Sequence, residues 1–204
     1  MTGPRVLVAS RNAKKLAEMQ RILEEHLDGV TVLGLDDVEP YDEPVEDQPT
    51  FEGNALLKAR AGVAAAGLPT LADDSGLCVD ALNGMPGVLS ARWSGPPKSD
   101  DRNNELLLAQ LADVPDERRT AYFMCAVALV LTDGRELVVE GRMDGRVIRE
   151  VRGSGGFGYD VLFEADDRPG VTTAELSIAD KDAISHRGKA LRVIAPQVAA
   201  LLRG

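Results

Sequence analysis

Apolar residues along this chain recur with two periods. Mainly apolar runs, short at 5–9, 30–35 and 68–72 and long at 121–132, read as buried strands bounded by turn residues. Elsewhere apolar positions repeat every three or four residues, as Leu16, Met19, Leu23 and Leu27, as Leu106, Leu107 and Leu111, and as Leu191, Ile194, Val198 and Leu201. That spacing predicts helices with one buried face. Thr50 is placed to cap a helix over 51–66 that Gly67 and Pro69 end, and Asp100 or Asp101 to cap the next. The last helices are expected over about 173–202, with a kink where Pro196 removes the hydrogen bond to the Arg192 carbonyl.

Asp133-Gly134 separates the 121–132 run from a partner strand at 136–140 and signals a β-hairpin. Asp144-Gly145, Asn83-Gly84 and Pro86-Gly87 predict further turns, residues 90–97 a rigid irregular segment, and 161–163 a last short strand. No repeat, low-complexity tract or linker interrupts this alternation. A single α/β domain over 1–204 is expected, with the hairpins of 121–151 available as a second lobe.

At 204 residues with 44% hydrophobic and 27% charged positions, the chain can bury a full core. Its net charge of -10 argues against a general nucleic-acid or anionic-membrane binder, which needs a basic surface. An anionic small substrate stays compatible if cations gather locally. Cys78 and Cys125 sit in apolar runs and form neither a disulfide framework nor a zinc spacing. The N-terminal apolar run is too short for a signal peptide or a membrane span, so a cytoplasmic location is expected.

Four polar clusters break the pattern. Residues 10–15 open a helix with Arg11, Lys14 and Lys15 in the turn where the macrodipole repels cations, and Ser10 and Asn12 as capping candidates. A basic first turn makes sense if an anion docks on the free backbone N–H groups, although a solvated basic turn has the same composition. Asp73-Asp74-Ser75-Gly76 interrupts two apolar runs. It fits a hydrogen-bonded turn, or an extended segment whose two acids face opposite sides, one toward a site and one bracing a loop. The glycine-rich segment 153–160 lacks the Lys-Ser/Thr of a P-loop and is followed by a strand, not the helix of a dinucleotide site. Phe157 could stack on a flat base while glycines let backbone approach its edge, and Asp160 could hold the loop or the ligand; a tight turn is the plainer reading. Lys181 with Ser185-His186-Arg187 completes the set, and Asn54 and Lys58 lie four apart on one helix face. Together these are the parts of a metal-assisted phosphoanhydride site: carboxylates for Mg²⁺, cations for phosphate, and a carboxylate to activate water.

The ordered motifs Ser10-x-Asn12-x-x-Lys15, Thr50-Phe51-Glu52-Gly53-Asn54-Ala55, Asp73-Asp74-Ser75-Gly76-Leu77, Gly155-Gly156-Phe157-Gly158-Tyr159-Asp160 and Ser185-His186-Arg187-Gly188-Lys189-Ala190-Leu191 resemble the inosine/xanthosine triphosphate pyrophosphatase (Ham1-like) family across essentially the whole chain. The resemblance implies an elongated, curved mixed β-sheet flanked by helices, two lobes with a central cleft, and a homodimer. It implies Mg²⁺-dependent hydrolysis of inosine, deoxyinosine and xanthosine triphosphates to the monophosphate and pyrophosphate. On these positions Ser10, Arg11, Asn12, Ala13, Lys14 and Lys15 would grip phosphates, and Asn54 and Lys58 would reach the same ligand. Asp74 would be the metal-linked general base with Ser75 beside it. Phe157, Gly158, Tyr159, Asp160, Lys181, His186 and Arg187 would hold base and sugar-phosphate, preferring a keto group at purine position six. Among Glu39, Glu43 and Glu46 of the acidic loop, Glu46 is taken as the second metal carboxylate. The rival readings are a non-catalytic purine nucleotide sensor and a Maf-like pyrophosphatase for modified pyrimidine nucleotides.

Overall fold

The computed structural model describes residues 3–203, with Lys14 described by its backbone alone. The chain is α/β. Six strands form one mixed sheet in the order β2-β1-β3-β4-β5-β6, where β1 is Arg5–Val8, β2 Thr31–Leu33, β3 Thr70–Val79, β4 Thr120–Val130, β5 Glu136–Val147 and β6 Phe163–Ala165. β1 pairs parallel with β2 and β3, and β5 antiparallel with β6. Five helices accompany the sheet: α1 Ala13–Glu24, α2 Phe51–Ala66, α3 Asp100–Gln110, α4 Ile178–Ile184 and α5 His186–Arg203.

Two compact units divide the chain, the first of Met1–Asp74, Ala126–Glu140 and Lys189–Gly204, the second of Ser75–Cys125 and Gly141–Gly188. The hairpin of 121–151 is therefore not a lobe by itself, since Ala126–Glu140 groups with the first unit. The second unit has its own apolar centre, which includes Leu77, Leu107, Met143, Tyr159 and Phe163.

Local chemistry explains the boundaries. Thr50 caps α2, its side chain accepting from the Gly53 N–H, and Gly67 closes the helix in the left-handed region. Asp100 and Asp101 do not cap α3. Ser99 does, accepting from the Arg102 N–H, which puts both acids in the first turn. The segment after Pro86 is also more regular than expected, a 3₁₀ turn over Gly87–Arg92. Residues 173–177 stay outside the terminal helices, since Ser177 caps α4 and α5 begins at His186, then runs through Pro196 to Arg203.

Among the described residues, one open alternative is decided, one expected turn is absent and one strand is shifted. Asp73-Asp74-Ser75-Gly76 is not a turn but the middle of β3, where the paired acids leave the backbone free to continue its ladder. Asp144-Gly145 lies inside β5, and its glycine serves a close approach: a Cβ at Gly145 would sit 2.2 Å from the Glu164 carbonyl oxygen. Residues Asp160–Leu162 form a 3₁₀ turn, so the last strand starts at Phe163. No described helix is long and apolar enough to cross a membrane.

Candidate active site

In the first unit, the extended backbone of β3 sends Asp73 and Asp74 to different partners. Both Asp73 carboxylate oxygens accept from Lys15 Nζ at 2.9 Å. Asp74 Oδ2 accepts from Asn54 Nδ2 at 3.0 Å, and Asp74 Oδ1 lies 3.8 Å from Lys58 Nζ. Asn54 and Lys58 come from successive turns of α2, as their spacing predicts. Lys58 Nζ also donates to Glu46 Oε1 at 2.6 Å and to the Asp73 carbonyl at 2.7 Å. The loop is tied to the same helix, since Asn54 Oδ1 accepts from the Gln48 N–H at 3.0 Å. Of the acidic-loop glutamates, Glu46 is thus brought to the Asp74 cluster, whereas Glu43 pairs with Arg11.

Burial pushes the Asp74 carboxyl above the ordinary carboxylate range; Lys58 and Asn54 pull it back, and Glu46 and Asp73 push it further up. For the Lys58 ammonium, burial works toward deprotonation, but Asp74, Glu46 and Asp73 outweigh it and the net direction is up. A carboxylate with raised proton affinity beside a firmly charged lysine is suited to accept a proton next to an anion.

The start of α1 carries no acid in its first turn. Asn12 caps the helix, its Oδ1 accepting from the Lys15 N–H at 3.4 Å, while Ser10 lies two residues earlier and its Oγ accepts from the N–H of Asn12 itself at 3.1 Å. Arg11 pairs with Asp36 and Glu43, and Lys15 with Asp73. The phosphate role expected of the Lys14 side chain lies outside the described residues.

In the second unit, Asp160 is the organiser of the glycine-rich segment. It is 4% exposed, accepts from the Phe157 N–H and from Thr173 Oγ1, both at 2.8 Å, and pairs with Lys181. Asp160 therefore holds the loop. Gly156 has φ +75°, and a Cβ there would meet Asp160 Oδ2 at 2.2 Å, so only glycine lets the chain close over this carboxylate. Phe157 is left 62% exposed with Lys181 Nζ 5.2 Å above its ring centroid. Tyr159, expected at the ligand, is a core residue: its ring is buried and its hydroxyl donates to the Ser90 carbonyl at 2.9 Å. Burial, reinforced by Asp100, holds the Tyr159 phenol well above its ordinary pKa. The two bonds to Gly158 were not foreseen, its N–H donating to Asp100 Oδ2 at 2.8 Å and its carbonyl accepting from Asn104 Nδ2 at 2.9 Å. The one available signal was Ser99, whose capping frees Asp100; nothing marked Asn104.

Ser185 caps α5, its hydroxyl accepting from the Gly188 N–H at 3.0 Å. His186 and Arg187 thereby stand in a helical first turn without an acid, the same device as at α1. The His186 ring stacks on Phe123 at 5.0 Å, and Arg187 Nη2 donates to Ser75 Oγ at 3.4 Å. Among the described residues, no three His, Cys, Asp or Glu side chains gather as a metal cage.

The "dITP/XTP pyrophosphatase" of Nocardia farcinica is 63% identical over 202 residues, covering 98% of each chain. The crystal structure of the "Nucleoside-triphosphatase / dITP/XTP pyrophosphatase" from Mycobacterium abscessus superposes with a TM-score of 0.80 at 56% identity, over 94% of this chain and 99% of that one. The Staphylococcus aureus Ham1 protein gives a TM-score of 0.88 at 34% identity, over 97% and 99%. A model of the Ham1 family matches residues 6–197, and the chain belongs to that family.

Proposed function

We propose that this chain hydrolyses inosine, deoxyinosine and xanthosine triphosphates to the monophosphate and pyrophosphate, clearing them from the nucleotide pool. The observation that carries the reading is the Asp74 cluster, a buried carboxylate of raised proton affinity beside Asn54, Lys58 and Glu46. A binding-only sensor has no use for such a base. The names of the relatives support the substrate class.

Asp74 takes the proton of the attacking water, oriented by the Asn54 amide. Lys58 and Lys15 offset charge on the phosphate oxygens, and Ser10, Asn12 and Ala13 offer the N-terminal amides of α1. Glu46 and Asp74 supply oxygen donors only, the class that suits Mg²⁺, which fills its remaining positions with phosphate and water. Bound there, the cation would polarise the phosphoanhydride and lower the pKa of the water. Phe157 stacks on the base, while Lys181, His186 and Arg187 contact its edge and the sugar-phosphate. Because donors converge on the base, an amino group at purine position six is rejected and a keto group accepted. We read residues 1–204 as one catalytic domain acting as a cytoplasmic homodimer, a setting that suits two buried cysteines outside any disulfide.

The test is pyrophosphate release with Mg²⁺ at mildly alkaline pH from inosine, xanthosine, adenosine, guanosine and uridine triphosphates. Fast release from the first two alone is expected. Tight binding of inosine triphosphate without release would establish the sensor instead, and release chiefly from uridine triphosphate the pyrimidine enzyme.

A further inference from the structure

The loop that presents Phe157 has little to hold it. Its ring is mostly exposed, so apolar burial contributes little, and Gly156 and Gly158 on either side sit at φ +75° and +61°. Glycine loses more backbone entropy on ordering than any other residue, and two of them flank Phe157. What fixes it is polar: Asp160 holds the Phe157 N–H, and α3 holds both backbone groups of Gly158, the N–H through Asp100 Oδ2 and the carbonyl through Asn104 Nδ2.

Asn104 is informative because its amide is only half satisfied. It is 5% exposed, its Nδ2 must face the Gly158 carbonyl, and its Oδ1 is buried without a hydrogen-bond partner. An orphaned buried acceptor costs about 1–3 kcal/mol, which an apolar side chain at this position would avoid. Stability therefore does not explain an asparagine here; its effect on Gly158 does.

We propose that Asp100 and Asn104 of α3 are positioning residues that lock Gly158 and so set the pose of Phe157, tuning affinity for the purine base without entering the chemistry. The proposal rests on the base-stacking role given to Phe157 above.

Four variants test it: Asn104→Ala, Asp100→Ala, Asp100→Asn and, as control, Asp101→Ala, which removes an exposed acid from the same first turn. Losing one lock of about 1 kcal/mol should raise KM for inosine triphosphate roughly five- to tenfold in either Gly158-facing alanine variant, with kcat within about twofold. Amide exchange at Gly158 should accelerate in Asp100→Ala. Asp100→Asn keeps an acceptor and should restore a KM near wild type, which a role in helix charge alone would not. Unchanged KM in both alanine variants of an active enzyme overturns the positioning role and leaves the proposed function standing. Parallel loss of kcat and melting temperature would show a merely structural role and overturns it too. If the wild type releases no pyrophosphate from any substrate, the functional reading falls and the base-tuning role falls with it.

Discussion

The two adjacent acids of β3 should fail in different ways when each is made an amide. In Asp74→Asn, Lys58 keeps Glu46 at 2.6 Å and the Asp73 carbonyl at 2.7 Å, and Asn54 Nδ2 still finds an acceptor in the new amide. The new amide must turn an N–H toward the Lys58 ammonium, 3.8 Å from the oxygen it replaces and no acceptor, so stability should fall by about 1 kcal/mol or more. Turnover should fall by about 10²–10⁴, the ordinary worth of a positioned general base. In Asp73→Asn, Lys15 Nζ loses a carboxylate that it meets through two bonds of 2.9 Å, on a side chain 3% exposed against 22% for the lysine. Breaking a buried pair costs about 3–5 kcal/mol and an exposed one less than 1, so about 2 kcal/mol is expected for this intermediate case. That corresponds to a melting temperature lower by about 6 °C. KM for the triphosphate should rise more than kcat falls, because Lys15 is no longer aimed. Melting curves and steady-state pyrophosphate release on both variants decide the matter. Near-normal turnover in Asp74→Asn, or two variants that cannot be told apart, would refute the division of labour.

Phe157→Ala should leave the melting temperature unchanged, since the ring is exposed, while raising KM for inosine triphosphate by the roughly 1–3 kcal/mol that base stacking contributes. Gly145→Ala should destabilise strongly, by about 3 kcal/mol or more, because its Cβ would meet the Glu164 carbonyl oxygen at 2.2 Å and the Phe163 ring at 2.7 Å; an unshifted denaturant midpoint would contradict the close approach. Burial raises the Cys78 thiol above its ordinary pKa and Cys125 is buried too, so neither should react with iodoacetamide at about pH 8 in the native protein, and both should after unfolding.

What the sequence disclosed was local. α2 was legible to the residue because Thr50 and Gly67 cap it by short-range bonds. The same reasoning misread Asp144-Gly145, whose dipeptide matches Asp133-Gly134, because the need for Gly145 arises from β6, eighteen or more residues downstream. Glu46 could be favoured only by resemblance, since the acidic loop offers several equivalent carboxylates; the reach of Lys58 across to it is a tertiary fact. Tyr159 was assigned to the ligand through the resemblance alone, yet its ring is buried while that of Phe157 is exposed. Asn104 gave no signal, because it lies in the continuous polar run 99–105, which reads as a solvated helix start.

The net charge of -10 seemed an obstacle to a polyanionic substrate, and the placement of charge removes it. Two helices, α1 and α5, begin without an acid, so under the proposed function each would add the positive end of its dipole to the binding of phosphate or base. Three lysines of the candidate site are paired with acids: Lys15 of α1 is held by Asp73, Lys58 of α2 by Glu46, and Lys181 of α4 by Asp160. Each carboxylate keeps its lysine extended and aimed, so an arriving anion meets an ordered donor and the cost of ordering it is met on folding. The acids that dominate the composition are, at these three positions, what makes the cations usable.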